Sequence, residues 1–352
     1  MFTKDQREVS NLIDLLFDIL IFFCIYTIIT ISLNFQQGYT GIFNLGLYFP
    51  IIIGALITAF LPGRVAMLIY GINSKLDFSA NNALVVSILK LKLSSDPIIS
   101  ISLLFLTLII TVLVCYVIGF LIAYPALKLP VDYLALFMLC AGESLRVIGM
   151  QTDWLAGGVM GIIIINPFGW LKDFSYYGIG IFIILLTIII VLIHQKICNS
   201  PLGRLLKSIR ENELVAECIG KNVNKIKRKV LSFSFAILGI GGVLHAFSMS
   251  AVVIGGYTRV DFSFWPWLMM IVGGTGNNLG VLLGTFSLVI MRRIMIIAKH
   301  FFLFLPFNIV WLEPILLALL LMFTLIFKPK GILSEKPLEI KKYMEKTLKL
   351  KT

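Results

Sequence analysis

Two pairs of charges lie where charge is expensive. Glu143 and Arg146 stand three residues apart in the apolar run 131–150, VDYLALFMLCAGESLRVIGM, and Arg292 and Arg293 interrupt LVIMRRIMIIA. The spacing of Glu143 and Arg146 puts them on one helix face, where they can pair. An ionisable group at a bilayer centre costs at least about 2.5–3.5 kcal/mol, so such residues turn toward a bundle interior or a watery path. Two chemistries remain open for Glu143 and Arg146: a structural ion pair between helices, or contact with a transported solute or proton. Arg292 and Arg293 are expected to snorkel or to pack against an interior loop. His194 and His245 have no ligand partners at metal spacing. Cys24, Cys115, Cys140, Cys198 and Cys218 show no paired spacing, so these residues read as packing groups.

Catalytic chemistry finds little support. The chain has no G-x-x-x-x-G-K-[ST] phosphate loop, no H-E-x-x-H and no G-x-S-x-G. Gly274-Thr275-Gly276 imitates a dinucleotide motif, but the third glycine, Gly280, comes one position too late and no βαβ context surrounds it. The expectation is a chain that is not an enzyme and binds no cofactor of its own. A membrane-embedded transferase would need a polar catalytic cluster that the sequence lacks.

The elements that must position these residues are membrane helices. Of 352 residues, 59% are hydrophobic and 14% charged, with a mean hydropathy of +0.98. Such a chain is expected to be all-α, one polytopic bundle over 1–352 with about 8–10 membrane segments, some broken or re-entrant. Candidate spans are 15–34, 41–61, 98–123, 131–150, 176–196, 230–251, 264–298 and 301–327, with a short helix expected at Asn82 to Leu93. The net charge of +12 is concentrated: 17 of the 30 Lys and Arg fall in Lys196–Lys229 and Lys328–Lys351. That is a positive-inside pattern and not a nucleic-acid surface, so the loop 200–229 and the tail 328–352 are both expected in the cytoplasm.

Fixing those two segments on one side constrains the rest. If 230–251 leaves the cytoplasm and 301–327 returns to it, 264–298 must cross an even number of times. Gly273-Gly274-Thr275-Gly276-Asn277-Asn278-Leu279-Gly280 is a poor helix interior, since glycine costs about 1 kcal/mol relative to alanine. A break is therefore predicted there, as a re-entrant turn or as a tight turn between a short span and its return. Working backward puts the N-terminus outside if 41–61 is a full crossing. Thr40-Gly41 with Asn44-Leu45-Gly46 echoes Thr275-Gly276 with Asn278-Leu279-Gly280, through an internal repeat or through chance. Free N–H groups after either break, at Thr40 to Asn44 or Thr275 to Asn278, are candidates to receive a solute carboxylate.

The basic stretch Ser200–Lys229 carries two helix signatures. Ser200 caps a helix with Pro201 at its first position and Leu202, Leu205, Leu206 and Ile209 on one face; Asn212 caps Glu213 to Ile219, and Gly220 stops it. Its rim charges Arg204, Lys207, Arg210, Lys221 and Lys225 suit either a docked protein or anionic lipid headgroups.

Taken together, Gly38-Tyr-Thr-Gly41 with Asn44-Leu-Gly46, Asp132-Tyr133-Leu-Ala135 running into Gly142-Glu143-Ser-Leu-Arg146, Gly157-Gly158 with Gly161, Gly203-Arg204 with Ile209-Arg210-Glu211-Asn-Glu213, Ala216-Glu217 and Gly220, and Phe327-Lys-Pro-Lys-Gly331 are similar to the LivM-like permeases of branched-chain amino acid ABC transporters. The resemblance covers nearly the whole chain. It departs at Leu129-Pro130-Val131, where the family usually has Arg-Gly before Asp-Tyr, and at Leu155-Ala156, where it usually has Leu-Thr.

The resemblance implies a permease subunit working with two cytoplasmic ATPase subunits that use the ATP, a second LivH-like permease, an extracytoplasmic solute-binding protein and the lipid of the cell membrane. It implies that Arg210, Glu211, Glu213, Ala216, Glu217 and Gly220 form the ATPase-coupling segment. Break and charge placement nominate Thr40, Gly41, Asn44, Glu143, Arg146, Gly274, Thr275, Gly276 and Asn278 for the translocation pathway. An ion-coupled secondary transporter using Glu143 is the competing expectation.

Overall fold

A computed structural model describes residues 4–72, 77–298, 312–328, 331–333 and 335. The chain begins with α1 (Lys4–Leu33), which continues as a π-helical turn through Tyr39, and α2 (Tyr48–Ile69). A surface helix α3 (Asn82–Ser95) leads into α4 (Pro97–Ala126), α5 (Val131–Gln151) and the single turn α6 (Asp153–Ala156). Then come α7 (Ser175–Cys198), the two short helices α8 (Pro201–Glu211) and α9 (Glu213–Cys218), and α10 (Val223–Met249). A second π turn (Val260–Phe264) opens α11 (Trp265–Gly273), followed by α12 (Asn278–Ala298) and α13 (Leu312–Phe327). Among the described residues seven helices are long and apolar enough to cross a membrane, with Val260–Gly273 as a shorter apolar helix. The all-α polytopic expectation holds.

Helix α10 is the centre of the bundle, with 83% of its most apolar window buried. Glycines let backbones approach it closely, as small residues do between membrane helices. An added Cβ at Gly54 of α2 would stand 2.2 Å from the Gly239 carbonyl oxygen of α10, and one at Gly242 would stand 2.1 Å from that of Ile51. Gly119 of α4 packs likewise against Phe235. The helices α1 and α12 lie side by side, joined by Thr30 Oγ1 and Thr285 Oγ1 at 2.9 Å.

Several expected boundaries move. The second span starts at Tyr48 instead of 41, because Gly41 is left-handed (φ +76°) and ends the helical path, and it runs past 61 with Pro62 inside the helix. The span expected at 230 begins at Val223, since Lys225 to Lys229 form helix without being apolar. The span at 264–298 does break, with left-handed Gly276 (φ +78°) between α11 and α12. The first part of 301–327 lies outside the described residues.

The bundle has two distinguishable ends. Gly38, Gly276 and Glu335 all meet Arg210 of α8 at the basic end. At the other, β1 (Ile162–Ile163) pairs antiparallel with β2 (Ala251–Val252), and the Asn82 side chain bonds the Ile163 backbone. The α11–α12 turn therefore sits beside α8, as a tight turn between a short segment and its return.

Candidate functional site

The basic loop folds as its caps dictate. Ser200 Oγ accepts from the Leu202 amide at 3.2 Å and Asn212 Oδ1 from the Val215 amide at 3.2 Å, while Gly220 takes a left-handed φ of +79°. Leu206 and Ile209 bury the inner face of α8, and Ile209, Ala216 and Val223 form a small core of their own that fixes α9 against α8. Glu213 pairs with Lys227 of α10. With Ala216 turned inward, Leu214 (73% exposed), Val215 and Ile219 (70%) point outward beside Glu211 and Glu217.

Arg210 joins this loop to both glycine breaks. Its guanidinium donates to the Gly38 carbonyl and, at 2.8 Å, to Glu335 Oε2. Lys207 reaches the other Glu335 oxygen at 2.6 Å and lies 5.0 Å from the centre of the Tyr39 ring. A Cβ on Gly41 would meet Arg210 at 3.2 Å, and one on Gly276 would meet Glu335 at 2.7 Å. Asn34 ties the breaks together: its Oδ1 accepts from the Gly276 amide at 2.9 Å, and its Nδ2 donates to Asn278 Oδ1 at 2.9 Å. Asn278 in turn donates to Gln195 of α7 at 2.6 Å. The amides of Ile332 and Leu333 bond the carbonyls of Val272 and Gly273, closing the end of α11.

A family model for the branched-chain amino acid transport system permease component matches residues 15–325. The chain belongs to this family. It is 33% identical over 333 residues, 93% of this chain and 95% of the relative, to the "Probable branched-chain amino acid transport permease protein LivM" of Methanocaldococcus jannaschii. It is 27% identical over 202 residues, 50% of this chain and 47% of the relative, to the "High-affinity branched-chain amino acid transport system permease protein LivM" of Escherichia coli. No solved structure matches.

Within this transport permease the nominated pathway residues fall into two groups. Gly41 and Gly276 border Arg210, and Gly276 and Asn278 bond Asn34; Thr40 donates to the Phe35 carbonyl, Asn44 donates to Gln36, Gly274 lies against Gly331, and Thr275 is exposed at the tip of the turn. Glu143 and Arg146 lie elsewhere, on α5, paired at 2.5 Å. Tyr48 of α2 packs against Gly142 and holds the Leu139 carbonyl at 2.7 Å. Both charged side chains keep partial exposure, 34% and 22%, on a helix mostly uncovered by the rest of the permease.

Asn277 Oδ1 accepts from the Leu279 amide at 3.1 Å at the start of α12, and Asn44 Oδ1 accepts from the Gly46 amide at 2.8 Å in the loop before α2, whose first turn has no side-chain cap. Arg292 pairs with Asp261 of the 260–264 turn and Arg293 with Asp18 of α1, both across elements, in keeping with packing inside the bundle. Lys207 and Arg210 turn inward and are not lipid-facing rim charges. Asn34 and Glu335 were missed in the sequence because nothing local marks them; their partners are distant in the chain.

Proposed function

We propose that this permease forms part of the membrane path of an ABC importer for branched-chain amino acids or a similar small polar solute, powered by separate ATPase subunits. The observation that carries the coupling role is the outward apolar face of α9. Leu214, Val215 and Ile219 stand exposed on an otherwise basic loop, on a helix locked by Ala216 and two caps. A fully solvated loop gains nothing from such a face, whereas burying one leucine-sized side chain in a partner cleft contributes about 1.5–3 kcal/mol.

The mechanism follows from rigidity. An ATPase cleft holding α9 would carry α8 with it through the Ile209–Ala216–Val223 core. Arg210 would then pull on the 38–41 break and, through Glu335, on the α11–α12 turn. Discrete rearrangement of such packed elements is how a distant event becomes alternating access. In this reading the basic end is cytoplasmic, the β1–β2 end faces a solute-binding protein, and a second permease covers the partly exposed Glu143–Arg146 flank, where a polar path tolerates charge.

The test is reconstitution with the ATPase partners. Leu214→Asp and Ile219→Asp should leave membrane insertion intact, while ATPase co-purification and ATP-dependent leucine uptake fall at least about tenfold each. Uptake that persists without ATPases and collapses with an uncoupler would instead establish ion coupling.

A further inference from the structure

At the end away from the basic junction, α1, α10, α12 and the 260–264 π turn line a half-open cavity of about 210 Å³. It is small beside the roughly 300–1,000 Å³ of drug-sized pockets, which suits a metabolite. Ile19, Phe22, Phe262 and Val289 supply an apolar wall, and Asp261 and Arg292 place one charge of each sign beside it. Arg292 also donates to Tyr26 Oη at 2.6 Å and lies 5.2 Å from the centre of the Trp265 ring; Asp261 accepts from Thr258 Oγ1 at 2.6 Å. Asp261 is carried by the π turn, a geometry that recurs at functional sites. Arg293 borders both this cavity and a more open volume of about 510 Å³ edged by Asp14, Asp18, Tyr176 and Tyr177, so a vestibule bearing charged side chains adjoins the half-open cavity.

We propose that this cavity is a receiving site for a zwitterionic aliphatic amino acid, with the carboxylate on Arg292, the ammonium on Asp261 and the branched side chain against Phe22, Phe262 and Val289. The proposal rests on the solute class inferred above and adds the residues that would recognise it. An incoming zwitterion replaces the Arg292–Asp261 pair by two pairs of the same kind, so neither protein charge is left alone. A ligand with only one charge leaves the opposite protein group without its ionic partner, a cost that the partial exposure of Arg292 and Asp261 (22% and 28%) moderates. Acidic and basic side chains would bring an extra charge into the apolar wall. The site therefore selects by charge number as well as by shape.

The test uses the full assembly in nanodiscs without the solute-binding protein, and equilibrium binding of radiolabelled leucine. Asp261→Asn and Arg292→Gln should each weaken binding about 10- to 100-fold, the loss of one charge-assisted hydrogen bond. They should also change selectivity in opposite ways. Competition by 4-methylpentanoate, which lacks the ammonium, should approach that of leucine in Asp261→Asn, and competition by 3-methylbutylamine, which lacks the carboxylate, should do so in Arg292→Gln. Val289→Phe keeps the ion pair but fills the cavity, and should exclude leucine more than alanine; it decides the matter if either charge variant fails to assemble. Wild-type affinity and selectivity in assembled Val289→Phe, or in both assembled charge variants, would overturn the site while ATP-driven leucine uptake left the importer reading standing. A wild-type assembly that neither binds nor takes up any amino acid would overturn both.

Discussion

Replacing Arg210 by alanine tests the coupling junction most directly. The variant loses the bond to the Gly38 carbonyl and one of two cationic contacts to Glu335, which Lys207 still holds at 2.6 Å. A charge-assisted hydrogen bond contributes about 1.5–3 kcal/mol, and partial exposure of Arg210 and Glu335 (25% and 24%) screens the second contact toward the low end. A net loss of about 2 kcal/mol raises the open population of the junction about 30-fold. Amide exchange in 38–46 and 273–280 should accelerate by a similar factor, while α10, buried at the bundle centre, stays protected. Leucine uptake per ATP hydrolysed should fall in parallel, because α8 can then move without carrying the breaks. Arg210→Lys should be intermediate, since a lysine cannot bridge the carbonyl and Glu335 with one planar fork. Unchanged exchange at both breaks together with normal coupling would refute the argument.

Gly220→Ala meets no neighbouring atom, so its cost is left-handed strain alone, about 1 kcal/mol. It should leave insertion intact and reduce ATP-coupled uptake, with Gly220→Asn milder because asparagine tolerates that conformation. Gly54→Ala would push a Cβ to 2.2 Å from the Gly239 carbonyl oxygen and separate α2 from α10; a destabilisation of about 1–3 kcal/mol should appear as a lower Tm of the solubilised permease. Glu143→Gln removes the ion pair with Arg146, yet ATP-driven uptake should stay insensitive to an uncoupler, and acquired or lost proton dependence would return Glu143 to the role of a coupling site.

The parts of this fold legible in the sequence were those set by local chemistry. Ser200, Asn212 and Gly220 sit in the caps their residue types specify, and Gly276 breaks the 264–298 run where the crossing count demanded it. Apolarity located most spans but misjudged two ends for one reason: it senses the membrane, not the helix. Lys225 to Lys229 are helical and polar, whereas Ile42 and Phe43 are apolar and not helical. Partnerships across the chain stayed hidden. Nothing near Arg210 announces Gly38, 172 residues away, and nothing near Arg292 announces Asp261 on a π turn. The family resemblance supplied the transport class, which composition alone left among several membrane functions.

The pairing of α1 with α12 gives the two functional regions a mechanical relation. At the basic end Asn34, in the π turn that continues α1, bonds Asn278 of α12; midway Thr30 meets Thr285; toward the other end Tyr26 meets Arg292. Arg292 lies 14 residues beyond Asn278, about 21 Å along a helix rising 1.5 Å per residue. Three polar contacts in an apolar interface resist sliding of one helix on the other, so the pair moves as a unit. A displacement delivered by Arg210 to Gly38 enters at the foot of α1, and one delivered through Glu335 enters at the foot of α12. Because the same arginine addresses both feet, such a displacement would tilt the pair instead of shearing it. A tilt pivoting near Thr30 and Thr285 would move Tyr26 and Arg292 against the 260–264 turn, and thus Arg292 against Asp261. Under the proposed coupling, nucleotide-driven motion at one end would then change the spacing of Arg292 and Asp261, the two charges proposed to receive the solute at the other.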